Sequence, residues 1–189
     1  MLIFKRPMEL PRHKCTELAA VMACDGDESR YDEFLSWLEK DFSSLDHSRR
    51  AYIVAESGGV IVGFIRLWHS PHVDKWFNDG MVVSPAFRRQ GIGRGLLQQA
   101  LQAAARMGAS SVIAQIGKDN IASIRFHEKA GFLPETMEYL NSYGQPRSGV
   151  GRQYRIQLHE RTGGELLVRL TEFVTNCRAA DPDGEYPHV

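Results

Sequence analysis

The stretch "DGMVVSPAFRRQGIGRGLLQQALQAAARMG", Asp79 to Gly108, decides the reading of this chain. An apolar run stopped by Pro85 is followed by Arg88 and Arg89, then by three glycines spaced two apart, Gly91, Gly93 and Gly95. Beyond them Leu97, Ala100, Leu101, Ala104 and Met107 recur at helical spacing, and Gly108 stands where a left-handed C-cap is wanted. The predicted order is strand, glycine-rich turn, helix. A turn needs one glycine, so the other two require a separate reason.

Outward from this segment the same two periodicities alternate. Residues 2–6 read as a short strand, and helices are expected over Pro11 to Ala23 and Ser29 to Phe42. "AYIVAESGGVIVGFIRLW" reads as a hairpin turning at Glu56-Ser57-Gly58-Gly59, with Gly58 and Gly59 supplying positive φ. After the long helix, "SVIAQI" reads as a buried strand, and Asn120 as the N-cap of a helix that stops at Gly131. Strands are expected near Thr136–Leu140 and Arg152–Leu158, joined by the loop "NSYGQPRSGVG". The amphipathic stretch Glu165 to Cys177 reads as a terminal helix, packed on its own sheet or on a second copy of the chain. Strands alternating with helices place the fold in the mixed α/β class.

Composition narrows the function. With 189 residues, 43% hydrophobic and 24% charged, the chain suits one domain with a sizeable core. Its formal net charge is zero, so no overall field draws it to nucleic acid or to a membrane surface. Cys15, Cys24 and Cys177 are odd in number and lack metal-ligand spacing, so no metal is expected and a cytoplasmic setting is. No apolar run approaches the roughly 20 residues of a membrane span. An RNA-binding role for "FRRQGIGRGL" lacks interleaved aromatics.

The glycines fit neither familiar phosphate code. A dinucleotide fingerprint needs its third glycine where Leu96 stands, and a P-loop needs a lysine and a hydroxyl that do not follow. What remains is a helix start whose glycines let backbone N–H groups approach an anion, helped by the helix dipole and by Arg88, Arg89 and Arg94. A pyrophosphate satisfies that description. So does a tight turn with solvated arginines.

A second segment separates the two. "NIASIRFHEKAGF", Asn120 to Phe132, lies one strand further on. With Arg88, Gly91 and Gly93 as R-x-x-G-x-G, and with Asn120, Ser123, Phe126, Gly131 and Phe132, the chain resembles the GNAT superfamily of acyl-CoA N-acyltransferases. The motifs cover residues 76–132, and the order of elements extends the likeness from residue 2 to about 158. The resemblance implies a twisted mixed sheet of about seven strands flanked by helices, with an extra C-terminal helix. It implies an acyltransferase domain over residues 1–160, followed by a helix and tail over 161–189.

It also implies acetyl-CoA as the acyl donor and a primary amine as the acceptor. Met81, Val82 and Val83 would form an edge strand that splays from its neighbour and pairs with the pantetheine arm. Arg88, Arg89, Gln90, Gly91, Ile92 and Gly93 would cradle the pyrophosphate beside Arg94, Gly95 would admit a close helix start, and Asn120 and Ser123 would border the donor. Where the family most often has a tyrosine acid for the leaving thiolate, this chain has His127. A histidine donates a proton near neutrality, and it also serves as ordinary packing. Asp79 is the candidate base, acting through water, or else a residue of a turn "NDG"; Glu56 and Glu135 are weaker, loop-like candidates.

The acceptor is read from charge. Asp25, Asp27, Glu28, Asp32, Glu33, Glu39, Asp41 and Asp46 face only Arg30 and Lys40 between residues 25 and 46. This suggests a cationic small molecule or a basic peptide end, with Tyr31, Trp37, Trp68 and Trp76 as faces for an ammonium. A solvated acidic helix accounts for the same residues. Protein N-acetylation and a non-catalytic CoA-binding sensor stand as alternatives, and a homodimer is possible.

Overall fold

The protein is described from a computed structural model, which covers residues 1–7, 10–23, 28–43, 47–135, 139–147, 151–160 and 166–167. Strand β1 (Leu2–Lys5) leads to helices α1 (Arg12–Ala23) and α2 (Tyr31–Ser43). The hairpin β2 (Arg50–Ser57) and β3 (Val60–Ser70) follows, then β4 (Lys75–Val83), α3 (Ile92–Arg106), β5 (Ser111–Gly117) and α4 (Ile121–Lys129). The remaining strands are β6 (Leu133–Glu135), β7 (Tyr139–Leu140), β8 (Pro146–Arg147), β9 (Gly151–Gln157), β10 (His159–Glu160) and β11 (Leu166–Leu167).

Seven strands form one sheet in the order β1-β2-β3-β4-β5-β9-β6. Every neighbouring pair is antiparallel except β4 and β5, which run parallel. Alternation along β2 shows how both faces are covered. Ala51, Ile53 and Ala55 join the core that contains Leu97, Leu101 and Ala104 of α3, while Tyr52 and Val54 join Leu18 of α1 and Leu38 of α2. Each strand residue thus buries its side chain against a helix on one face or the other. Gly58 and Gly59, at φ +61° and +86°, turn the β2–β3 hairpin.

Two expectations need correction. Met81 to Val83 do not lie in an edge strand: β4 is the fourth of seven. Its pairing with β5 covers only Trp76↔Val112, Phe77↔Ile113 and Asn78↔Ala114, so the rest of β4 parts from an interior neighbour. The cause is a β-bulge. Arg66 faces Gly80 while Leu67 faces Asn78, so Asp79 is the extra residue that bends the strand. "NDG" is therefore a bulge within a strand and not a turn.

At the other end, Leu166 and Leu167 are not helical. They pair with His159 and Glu160 in a separate two-stranded sheet. The remainder of the expected terminal helix lies outside the described residues, as do 136–138 of the strand expected near Thr136–Leu140. Tyr139 and Leu140 pair instead with Pro146 and Arg147.

Candidate active site

Where β4 and β5 part, the protein holds a cavity of about 350 Å³. Asn78, Asp79 and Met81 of β4, Gln115 of β5, Ser123 and His127 of α4, and Tyr143 of the β7–β8 turn are among its walls. The bulge explains how two successive residues, Asn78 and Asp79, both reach it. Asn78 meets α4, whereas Asp79 meets Arg66 on the side of α2.

Asp79 forms an ion pair with Arg66, whose side chain is only 7% exposed. Arg66 also donates from Nε to Asp41 of α2 at 3.3 Å, and Asp41 in turn binds Arg50 at 2.6 Å and accepts from the Tyr52 hydroxyl. Burial pushes the Asp79 carboxyl up; the Arg66 charge opposes this and the Asp41 charge adds to it. Burial likewise raises Tyr52, which stays a hydroxyl donor.

His127 is 3% exposed. Its Nδ1 lies 2.8 Å from the Ser123 carbonyl, which can only accept, so Nδ1 carries the proton. Nε2 then accepts from Asn78 Nδ2 at 3.0 Å. The ring packs edge-on against Phe126 and Phe132 at 5.3 and 5.0 Å. Burial holds its pKa below the ordinary histidine value, with the Ser123 hydrogen bond opposing the shift. Burial and the Ser123 contact thus favour the neutral ring with its proton on Nδ1.

The glycine turn adjoins the end of β4. Arg88 Nε donates to the Val83 carbonyl at 2.9 Å, tying the loop to the strand. Arg89 and Gly91 both take positive φ, at 62° and 80°. No atom lies within 4 Å of where a Gly91 side chain would begin, so this residue is required by conformation on an open surface. The α3 ladder starts at Gly95 N–H to the Gly91 carbonyl, 3.0 Å, leaving the Ile92 and Gly93 N–H groups ahead of it. These features fit a diphosphate. Gly95 points elsewhere: a Cβ there would lie 2.3 Å from Phe4 Cζ, so its bareness admits β1 and not a ligand.

Asn120 Oδ1 accepts from the Ser123 N–H at 3.0 Å, an N-cap that fixes the start of α4. Glu56 and Glu135 are strand residues rather than loop residues, and neither lines the cavity. Glu56 pairs with Lys5, and Glu135 with Arg155 and Gln153. The expected acidic face is partly consumed, since Glu33 binds Arg30, Glu39 binds Arg12 and Asp41 joins the buried network; residues 25, 27 and 46 lie outside the described residues. The aromatic faces are engaged too. Trp37, Tyr52 and Trp68 surround the Arg66 guanidinium, and Trp76 is buried against His69.

Sequence reasoning missed Asn78, Arg66, Gln115 and Tyr143. Arg66 left a readable signal, as a lone charge within the apolar run "VIVGFIRLW" must find buried partners. Tyr143 left none, because its place depends on distant anchors. The Ser70 hydroxyl donates to the Ser142 carbonyl at 2.5 Å, and Gln115 Nε2 donates to the Leu140 carbonyl at 3.0 Å.

A mixed sheet parted between two parallel strands, with a glycine turn and a helix start after the first of them, is the arrangement that the resemblance to the GNAT superfamily implied. The profile of the acetyltransferase (GNAT) family matches residues 14–132. The chain belongs to this family, and it is an enzyme of the acetyltransferase class. It is 35% identical over 83 residues to the L-methionine sulfoximine/L-methionine sulfone acetyltransferase of Salmonella typhimurium, covering 42% of this chain and 48% of that one. Over 99 residues it is 33% identical to the phosphinothricin N-acetyltransferase of Streptomyces viridochromogenes, covering 51% and 53%. Each match thus spans about half of the relative's length. The fold is similar to that of YncA from Salmonella typhimurium, solved with acetyl-CoA, at TM-score 0.61 and 22% identity, covering 85% of this chain and 96% of that one. Among the described residues no helix is long and apolar enough to cross a membrane.

Proposed function

We propose that this protein is a cytoplasmic N-acetyltransferase that moves the acetyl group of acetyl-CoA to the primary amine of a small molecule by direct attack. The observation that carries this reading is the cavity at the β4–β5 parting, with the glycine turn tied to the end of the same strand β4. Arg88 to Gly93 would hold the diphosphate, with Arg94 nearby. Met81 to Val83 would pair along the arm, and Asn120 and Ser123 would border it. Bound acetyl-CoA supplies an activated thioester. A β4 backbone N–H left unpaired by β5 would polarise its carbonyl, an interaction whose loss typically costs about 10²–10³ in rate.

Asp79 takes the proton that the attacking amine must lose, directly or through one water. His127, facing the same cavity, serves the proton traffic of the departing thiolate. The acceptor follows from charge. Asp79 is the charged group among the lining residues, and Arg66 already balances it. A polycation gains little there, so the cationic acceptor suggested by the sequence loses its main support. A compact, amino-acid-like amine, the kind named in the two relatives, suits the space. The catalytic unit would span residues 1–160.

Calorimetric titration with acetyl-CoA tests the reading, alongside Gly91→Glu. Binding on the order of micromolar that the substitution abolishes, together with CoA release in the presence of amino-acid-like amines, is the expected result. No binding by the unaltered protein would remove the acetyltransferase assignment of this cavity.

A further inference from the structure

Asn78 presents a buried amide that is only half satisfied. Its Nδ2 donates to His127 Nε2 at 3.0 Å, while its Oδ1 is buried without a partner among the described residues. An unsatisfied buried acceptor is unfavourable, so its retention at the cavity wall calls for a reason. The chemistry of the neighbouring ring supplies one. With Nδ1–H fixed on the Ser123 carbonyl, Nε2 is the position where His127 can gain a proton. A protonated ring presents two donors, and an NH₂ group opposite Nε2 would then face it wrongly. Rotating the amide by half a turn brings Oδ1 to the same place. The acceptor orphaned by the neutral ring becomes the partner of the charged one.

We propose that Asn78 is a positioning residue that holds His127 in both protonation states, through Nδ2 when the ring is neutral and through Oδ1 when it is protonated. Acetyl transfer sets one proton free from the amine nitrogen as the C–N bond forms, and consumes one on the sulfur as the C–S bond breaks. Taking up at Nε2 the proton that Asp79 has removed from the amine, and passing it to the departing sulfur, His127 balances the two steps. The surroundings leave this switch to the amide. The groups packed against the ring are Asn78 from β4, Ser123 and Phe126 from α4, and Phe132 beyond it. Gln115 and Tyr143 share the cavity wall, and its charged lining residue, Asp79, is engaged by Arg66.

The test begins in the free protein, so that it does not depend on the acetyl-transfer reading; only its kinetic arm rests on that reading. In protein carrying ¹⁵N-labelled side chains, the Asn78 amide signals should shift with the same midpoint as the His127 ring. Asn78→Asp, which fixes a carboxylate opposite Nε2, should raise that midpoint by about one pH unit or more. Asn78→Val, which offers no acceptor, should lower it, and the His127-dependent limb of kcat/KM should follow in both variants. Amide signals that stay silent while His127 titrates would overturn the proposal. So would a midpoint unmoved by Asn78→Val, and if that variant does not fold, the amide signals of the unaltered protein decide alone. An inactive protein with the expected coupled titration would overturn the acetyl-transfer reading and leave the Asn78 pairing standing.

Discussion

Glycines 91 and 93 lie two residues apart and should respond oppositely to the same methyl group. Gly91 sits at φ +80° with open space around it, so Gly91→Ala meets no atom and still destabilises by about 1–2 kcal/mol through its left-handed backbone. Gly93 is the second residue of the helix, and its added Cβ would lie an ordinary 3.6 Å from Phe126 Cε2. Gly93→Ala should therefore be neutral or stabilising by up to about 1 kcal/mol. Thermal unfolding of the two variants checks this, and equal losses would mean that the turn is not held as described. His127 gives a second residue-level expectation. Because its folded pKa is depressed, the unfolded chain takes up the proton first as pH falls below the ordinary value of 6.5. Stability attributable to His127 is thus complete above that pH and lost as pH drops toward the folded pKa. His127→Gln should flatten the acid side of the melting-temperature profile relative to the unaltered protein. An unchanged profile would show that the ring is solvated.

Between elements, Gly95 and Phe4 form a contact that neither sequence neighbourhood announces. A Cβ at Gly95 would fall 2.3 Å from Phe4 Cζ, so Gly95→Ala should displace the β1 aromatic despite its better helix propensity. Pairing it with Phe4→Leu should cost less than the two single changes summed, and strict additivity in urea unfolding would deny the contact. This glycine also shows what sequence pattern can carry. Gly91, Gly93 and Gly95 look alike in the string, and the resemblance assigned all three to the donor; the long-range fold separates a turn, a helix start and a packing hole. Local periodicity was sufficient for α3, α4 and the β2–β3 hairpin because each is encoded by neighbours within a few turns. The β4 bulge was not legible, since it appears only once Arg66 and Gly80 are set opposite each other. The candidate site was accordingly half visible, as the glycine turn and His127 announce themselves in motifs whereas Asn78 and Tyr143 arrive by pairing.

Across the whole molecule, one buried guanidinium joins α2, β3 and β4. Arg66 binds Asp41 and Asp79 together between aromatic rings, so its loss removes one of two cations from the buried Asp41 and the guanidinium from the partly exposed Asp79. Arg66→Met should cost about 3 kcal/mol. Adding Asp79→Asn should restore part of that stability and none of the activity if Asp79 is the base. The same network lets a residue outside the cavity tune the chemistry. Asp41 does not line the cavity, yet its charge raises the Asp79 carboxyl and competes for Arg66. In Asp41→Asn both effects weaken, so Asp79 should ionise at lower pH. The ascending limb of kcat/KM, which reports the base in the free enzyme, should then move toward acid. Because Arg50 and Tyr52 also lose a charged partner, some stability is lost in the same variant, and the profile must be recorded where it remains folded. A limb that stays in place while Asp79→Asn still abolishes turnover would make Asp79 a structural anchor for Arg66, and would direct the search for the base to the cavity's other groups. A limb that moves as expected would tie the acidity of the cavity to a carboxylate on α2, the helix packed on the opposite face of the sheet from α3.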